Sequence, residues 1–255
     1  MTTTLNSAEL GTTWFNTLST QITSSEGSLR TGTMPLNGQT AAVAAIVPDP
    51  ESPFPRARHG EVGIKESLEL AAWLKTLEDP KQPIILIIDV PSQAYGYFEE
   101  LFGINFALAT SVNALAEARL DGHPLVSLIV GNAISGAFLA TGLQSNRILM
   151  LDSDAVQVQV MSKKAAARIT QRSIEELDKA AESIPAMAFD GQSFATLGAI
   201  HEVITDDSTP GVIRALERAL SDISDKKIVS RLQSAEAQKT RAQSILIRSA
   251  VNDQW

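Results

Sequence analysis

The chain contains no cysteine among its 255 residues, which excludes disulfides, thiolate nucleophiles and cysteine-ligated metals together. Basic charge is also scarce. Twenty-one Lys and Arg stand against 29 Asp and Glu, a net charge of -8. Phosphate binding needs a concentrated basic face, so nucleic acid is not expected as a partner. No apolar run approaches the ~18 residues that suggest a membrane span. The longest, around residues 84–90, is interrupted by Asp89. The opening MTTTLNSAEL lacks the basic-then-apolar pattern of a signal peptide. A soluble, cytoplasmic protein is expected, with no membrane partner. Low-complexity linkers and internal repeats are missing too, while 44% hydrophobic residues allow a sizeable core.

What is present is an alternation of strand and helix signals. Residues 1–26 are rich in Ser and Thr and predict one helix, with Trp14, Phe15 and Leu18 on one face. Strands at 28–36 and 39–47 flank Asn37-Gly38, a pair that tolerates positive φ and marks a hairpin. The stretch PDPESPFPRARHG at 48–60 carries four prolines and reads as a loop. A helix over 61–77 places Ile64, Leu68, Ala71 and Leu74 on a stripe, and Pro83 introduces a doubly buried strand at 84–89. After a loop at 90–96, Phe98, Leu101, Phe102, Leu108, Val112 and Leu115 predict one long helix ending at Asp121-Gly122. Short strands follow at 146–151, 156–160 and 199–204. Ser173 and Glu176 have the spacing of a capping box, and Thr209-Pro210 reads as an N-cap and first-turn pair. The segment 228–250 is amphipathic, with Ile228, Leu232, Ala235, Ala242, Leu246 and Ser249 on a stripe. This order of elements predicts an α/β fold.

The passage PLVSLIVGNAISGAFLATG at 124–142 is the most informative. It predicts a buried strand at 125–130, a small-residue turn at 131–136 and a packed helix. The turn, Gly131-Asn132-Ala133-Ile134-Ser135-Gly136, holds no obvious acid, base or metal ligand. What it offers is backbone. Gly131 and Gly136 allow close approach, and a helix starting near Ser135 leaves its first N–H groups free for an oxyanion or carboxylate. A helix N-cap with a small residue for close packing is the plainer reading of the same residues.

Other candidates are weaker. Arg56, Arg58 and His59 lie in the proline-rich loop, where arginine forks could clamp a carboxylate or phosphate, or simply be solvated. Gln93, Tyr95 and Gly96 follow the carboxyl end of a buried strand, a favoured site position. Lys163, Lys164, Arg168 and Arg172 form a basic stripe suited to an acidic carrier or to solvent. Glu99 and Glu100 suit the start of a helix. A Ser135 nucleophile with His123 or His201 as base is a further reading, although both histidines sit at ordinary structural positions. Asp152 and Asp154 lack partner ligands, and no metal is expected.

Four passages carry a family resemblance: DVPSQAYG at 89–96 with Glu99 and Gly103, FPRARHGEVG at 54–63, NAISGAFLATGLQSNR at 132–147, and MSKKAAAR at 161–168. In order and spacing they resemble the crotonase superfamily, the C-terminal domain of biotin-dependent carboxyltransferases, and most narrowly the γ subunits of malonate decarboxylase. The chain departs in having Ser135-Gly136 where many relatives have two glycines, and Tyr97-Phe98 where basic residues are expected. The resemblance implies a crotonase-like fold of stacked ββα turns over 27–255, with residues 1–26 as a helical extension and helices at both termini. It also implies a hetero-oligomer with a crotonase-fold β subunit and an acyl carrier protein subunit. The carrier would present malonate as a thioester on a CoA-derived arm, with no cofactor bound by this chain. The backbone N–H groups of Ile134, Ser135 and Gly136 would form an oxyanion hole, with Gln93, Tyr95, Gly96, Gly131, Ala133, Arg56 and Arg58 near the substrate. Transfer of the carboxyl group to a biotin carrier, and a purely structural partner role, are the alternatives.

Overall fold

The computed structural model describes residues 9–225 and 231–255. Its frame is an eight-stranded sheet in the order β1-β2-β3-β4-β5-β6-β8, with β7 paired to β5. β1 (Gln21–Ser24), β2 (Leu29–Leu36) and β3 (Gln39–Ile46) are antiparallel. β4 (Ile84–Val90), β5 (Leu125–Ile134), β6 (Arg147–Leu151), β7 (Gln157–Gln159) and β8 (Glu202–Ile204) join in parallel. The helices are α1 (Leu10–Leu18), α2 (Ile64–Leu74), α3 (Tyr97–Leu101), α4 (Ile104–Asp121), α5 (Ser135–Ala140), α6 (Lys163–Thr170), α7 (Ile174–Ala181), α8 (Gly191–Ala195), α9 (Thr209–Asp225), α10 (Arg231–Glu236) and α11 (Ala242–Asn252). Among the described residues, no helix is long and apolar enough to cross a membrane.

The core sits on β4 and β5. Every residue of β4 is buried, as is every residue of β5 except Asn132, and burying one Leu or Ile contributes about 1.5–3 kcal/mol. Parallel strands covered on both faces show such unbroken apolar runs. α1 packs Phe15 and Leu18 into this core, on the face anticipated from sequence. Across the molecule, Arg147 at the start of β6 donates from Nε to Asp222 of α9 at 2.6 Å.

Several local signals hold. Asn37 (φ 49°) and Gly38 (φ 72°) turn the β2–β3 hairpin. Ser173 caps α7 by accepting from Glu176 N–H at 3.2 Å, while Glu176 Oε2 accepts from Ser173 N–H at 2.8 Å. Others shift. Ser208 rather than Thr209 caps α9, its Oγ accepting from Gly211 N–H at 3.2 Å. β1, unanticipated, joins the sheet. On α2 the buried residues are Glu66, Ser67, Leu70, Ala71 and Leu74, with Leu68 turned out.

Three corrections bear on function. Residues 131–134 are not a turn: β5 continues to Ile134 because, past a register break beside Ile88 and Val90, its last residues pair with β7. The helix expected across 98–121 is two. Gly103, in the left-handed region at φ 85°, separates α3 from α4 and turns Phe98, Leu101 and Phe102 to solvent. The amphipathic segment at 228–250 is likewise interrupted between α10 and α11, and no residue of α11 is buried. Ile228 and residues 1–8 lie outside the described residues.

Candidate active site

β5 delivers the chain to the site. At its end Ser135 adopts φ 69°, and α5 begins. The first-turn N–H groups of a helix have no intrahelical partner, and the N-cap, Ile134, provides no side-chain hydrogen bond. Ser135 and Gly136 border a cleft of about 560 Å³, together with Glu61, Gln93, Tyr95, Leu139, Met161 and Ala165. α6 enters from another direction, with its cap residue Ser162 on the cleft and accepting from Ala165 N–H at 3.3 Å. Two positive helix ends therefore meet one cavity.

The wall is held by groups from distant parts of the chain. Asp89 Oδ1, at the end of β4, accepts from Asn132 N–H at 2.9 Å and from Asn132 Nδ2 at 3.3 Å, and Oδ2 accepts from Gly11 N–H at 3.0 Å. Burial pushes the Asp89 carboxyl above the ordinary aspartate range, against the opposing pull of these hydrogen bonds. A Cβ at residue 131 would lie 2.3 Å from Asp89 Oδ1, so Gly131 makes room for this carboxylate. Gln93 is fixed from the other side: Val62 N–H donates to Ser92 O at 3.0 Å, and Ala94 N–H to Val62 O at 2.8 Å. The Gln93 side chain then reaches across to α5, where a Cβ at residue 136 would stand 2.1 Å from its Oε1.

Of the residues expected from sequence, Gln93, Tyr95, Ser135 and Gly136 converge on the cleft. Ile134 and Ala133 are buried strand residues, and Gly131 packs against Asp89, which corrects the expectation that Gly131 and Ala133 face substrate. Gly96 starts α3 outside the cleft lining, with Glu99 folded over it. Arg56 stacks over the Tyr95 ring at 4.1 Å and donates to Glu61 at 2.9 Å, so it braces the rim. Arg58 donates to Ser52 O at 2.8 Å and shapes its own loop, away from the cleft. His123 contacts Gln82 O through Nδ1 at 3.0 Å, and neither it nor His201 lines the cleft with Ser135. Among the described residues, no group of three or more His, Asp or Glu could hold a metal ion. In the basic stripe, Lys163 pairs with Asp178 at 2.7 Å, whereas Lys164, Arg168 and Arg172 are exposed.

Sequence reasoning missed Asp89 as a support of the wall. Its signal was visible: one acid closing a strand that is otherwise wholly apolar. It also missed a second, apolar recess of about 190 Å³ that shares Ser135, Leu139 and Val160 with the cleft and continues to Phe138, Val158 and Phe194.

Chains of known proteins are similar to this one. A Pseudomonas malonate decarboxylase hetero-tetramer in complex with coenzyme A contains a chain 42% identical, with a TM-score of 0.85 over 96% of this chain and 99% of that one. The Pseudomonas malonate decarboxylase MdcD-MdcE hetero-dimer gives 39% identity and a TM-score of 0.83 over 97% and 100%. The malonyl-S-ACP:biotin-protein carboxyltransferase MADD of Malonomonas rubra is 36% identical over 183 residues, 68% of this chain. This chain spans 62% of the length of that carboxyltransferase. The fold is thus crotonase-like, as its sequence resemblance implied. The family model described as malonate decarboxylase gamma subunit matches residues 57–255, and the chain belongs to that family.

Proposed function

We propose that this chain is the γ half of an enzyme that decarboxylates a malonyl thioester, working beside a crotonase-fold β subunit. The thioester arrives on the CoA-derived arm of an acyl carrier protein, and the exposed Lys164, Arg168 and Arg172 give that acidic carrier a docking charge. We place the reaction in the cytoplasm. In the step itself, the bond between the α-carbon and the free carboxylate breaks. CO₂ leaves, the electron pair spreads over the α-carbon and thioester oxygen as an enolate, and a proton on the α-carbon gives the acetyl thioester. The β subunit holds the thioester and its enolate. The Ser135 and Gly136 N–H groups orient the departing carboxylate.

The observation that carries this reading is the kind of charge around the cleft. Among the described residues, Glu61 is the one charged side chain lining it, and it is already paired with Arg56. A carboxylate must lose its charge to become CO₂, so a lysine or arginine gripping it would stabilise the ground state and slow the reaction. Backbone dipoles position it with less penalty, and Leu139, Val160 and Met161 give the neutral product an apolar surface. Full-length likeness to the Pseudomonas chains supports direct decarboxylation. The identity with the M. rubra protein supports the second reading, in which the carboxyl group passes to a biotin carrier.

Reconstitution tests both. Purified γ and β subunits should each be inactive, and their mixture should release CO₂ from malonyl-carrier protein without any biotinyl protein. CO₂ release that requires a biotinyl carrier and is blocked by avidin would select the second reading. Turnover by this chain alone would contradict both.

A further inference from the structure

The segment 97–106 breaks the rule that governs the rest of the fold. No residue of α3 is buried. Tyr97, Phe98, Leu101, Phe102 and Phe106 are 77%, 66%, 63%, 74% and 72% exposed. Single exposed apolar residues are ordinary, but a run of five large ones within one turn and the next helix start marks a binding surface. Phe98 and Phe102 also form, with Phe54 and Ala94, the sides of a pocket of about 160 Å³. Sites for whole small molecules run about 300–1,000 Å³. This one is the size of a single long side chain.

Two carboxylates in it have no ion-pair partner among the described residues. Glu66 lines the pocket, is 2% exposed, and uses Oε2 to accept from Gly63 N–H at 3.0 Å. Its Oε1 is buried with no hydrogen-bond partner among the described residues. Glu99 lines the same pocket, and no cation among the described residues lies within ion-pair distance of either carboxylate. The two cations present are engaged elsewhere: Arg56 with Glu61 at 2.9 Å, Lys65 with Glu69 at 2.8 Å. A buried carboxylate oxygen without a donor is costly, and an ammonium or guanidinium group both satisfies it and gains from aromatic faces.

We propose that this pocket receives a lysine or arginine side chain of the β subunit, with the aromatic ridge at 97–106 as the apolar seat around it. The occupant rests on the function proposed above. α3 follows directly on the loop that carries Gln93 and Tyr95 into the cleft, so a subunit completing the cleft covers this ridge as well. The ring of aromatic side chains would exclude water from the central ion pair, the arrangement in which such pairs count most.

The test is the affinity of purified β subunit for immobilised γ variants over a range of salt concentrations. Phe102→Asp should weaken binding at least about 100-fold, as expected for a central anchor. Glu66→Gln keeps an oxygen for Gly63 N–H, so the chain should fold unchanged by circular dichroism, yet lose at least about tenfold in affinity and become less salt-sensitive. Leu120→Ala, 85% exposed at the far end of α4, should bind as wild type. Wild-type affinity and salt dependence in Glu66→Gln would overturn the proposal, as would Phe102→Asp binding within twofold of wild type. Stabilisation of free γ by n-butylamine, with unchanged affinity for the β subunit, would assign the pocket to a small ligand and also overturn it. CO₂ release by the wild-type complex is measured separately, so a failed decarboxylase reading and a failed docking pocket give different results.

Discussion

Residues 84–90 and 97–106 are close in sequence and both rich in large apolar side chains, yet most of those side chains have opposite surroundings. In the first, all seven residues of β4 are buried between β3 and β5. In the second, five large apolar side chains face outward. The first stretch explains why the chain folds. The second has no explanation within the chain, and its place beside the cleft suggests that a partner provides one. Between them lies the loop with Gln93, so the cleft wall joins the buried core on one side and borders an unpaired surface on the other.

That contrast can be broken by mutation. Ile87→Ala should lower the stability of the isolated chain by about 2–5 kcal/mol, the usual cost of a core cavity, measured by urea unfolding. A loss under about 1 kcal/mol would mean the strand is less tightly packed than its burial indicates. Asp89→Ala removes the acceptor for Gly11 N–H and Asn132 N–H and should cost about 1–3 kcal/mol, with faster amide exchange at Asn132 as its local mark. Phe102→Ala in the isolated chain should stay within about 0.5 kcal/mol of wild type. A large loss there would show that the ridge supports the fold itself and erase the comparison.

Asp89 also sharpens it through pH. An unfolded aspartate titrates near about 3.9, and burial raises the native value. Between those two values the folded chain keeps a proton that the unfolded chain has released. The favourable contribution is therefore complete below the unfolded value and is lost as pH rises through the native one. Urea midpoints of wild type relative to Asp89→Asn should fall over that window. A rise would contradict the burial account.

Much of the frame was legible because it depends on short-range rules. Asn37-Gly38 located the β2–β3 hairpin, unbroken apolar runs located β4 and the first part of β5, and Ser173 with Glu176 located a helix start. Where long-range contacts decide, reading failed. Residues 131–134 look like a turn because they are small, but pairing with β7 and the Asp89 carboxylate keep them extended. Phe98, Leu101 and Phe102 match a helical period, which describes an apolar face without saying what covers it. Of the residues lining the cleft, Ser135 and Gly136 were legible as a small-residue helix start and Gln93 as a loop residue after a buried strand. Arg58 and Gly131 were drawn in by residue type, and their partners, Ser52 and Asp89, show different roles.

The central claim is that the amides of Ser135 and Gly136 act on a substrate in the open cleft. Replacing Gly136 by Val inserts a side chain where Gln93 Oε1 stands, and should thereby disturb the cleft beside both donors. In a βγ complex shown intact by sedimentation, this change should lower the decarboxylation rate by at least about 10²-fold, the scale of losing one preorganised donor. An intact complex that decarboxylates at the wild-type rate would contradict the account.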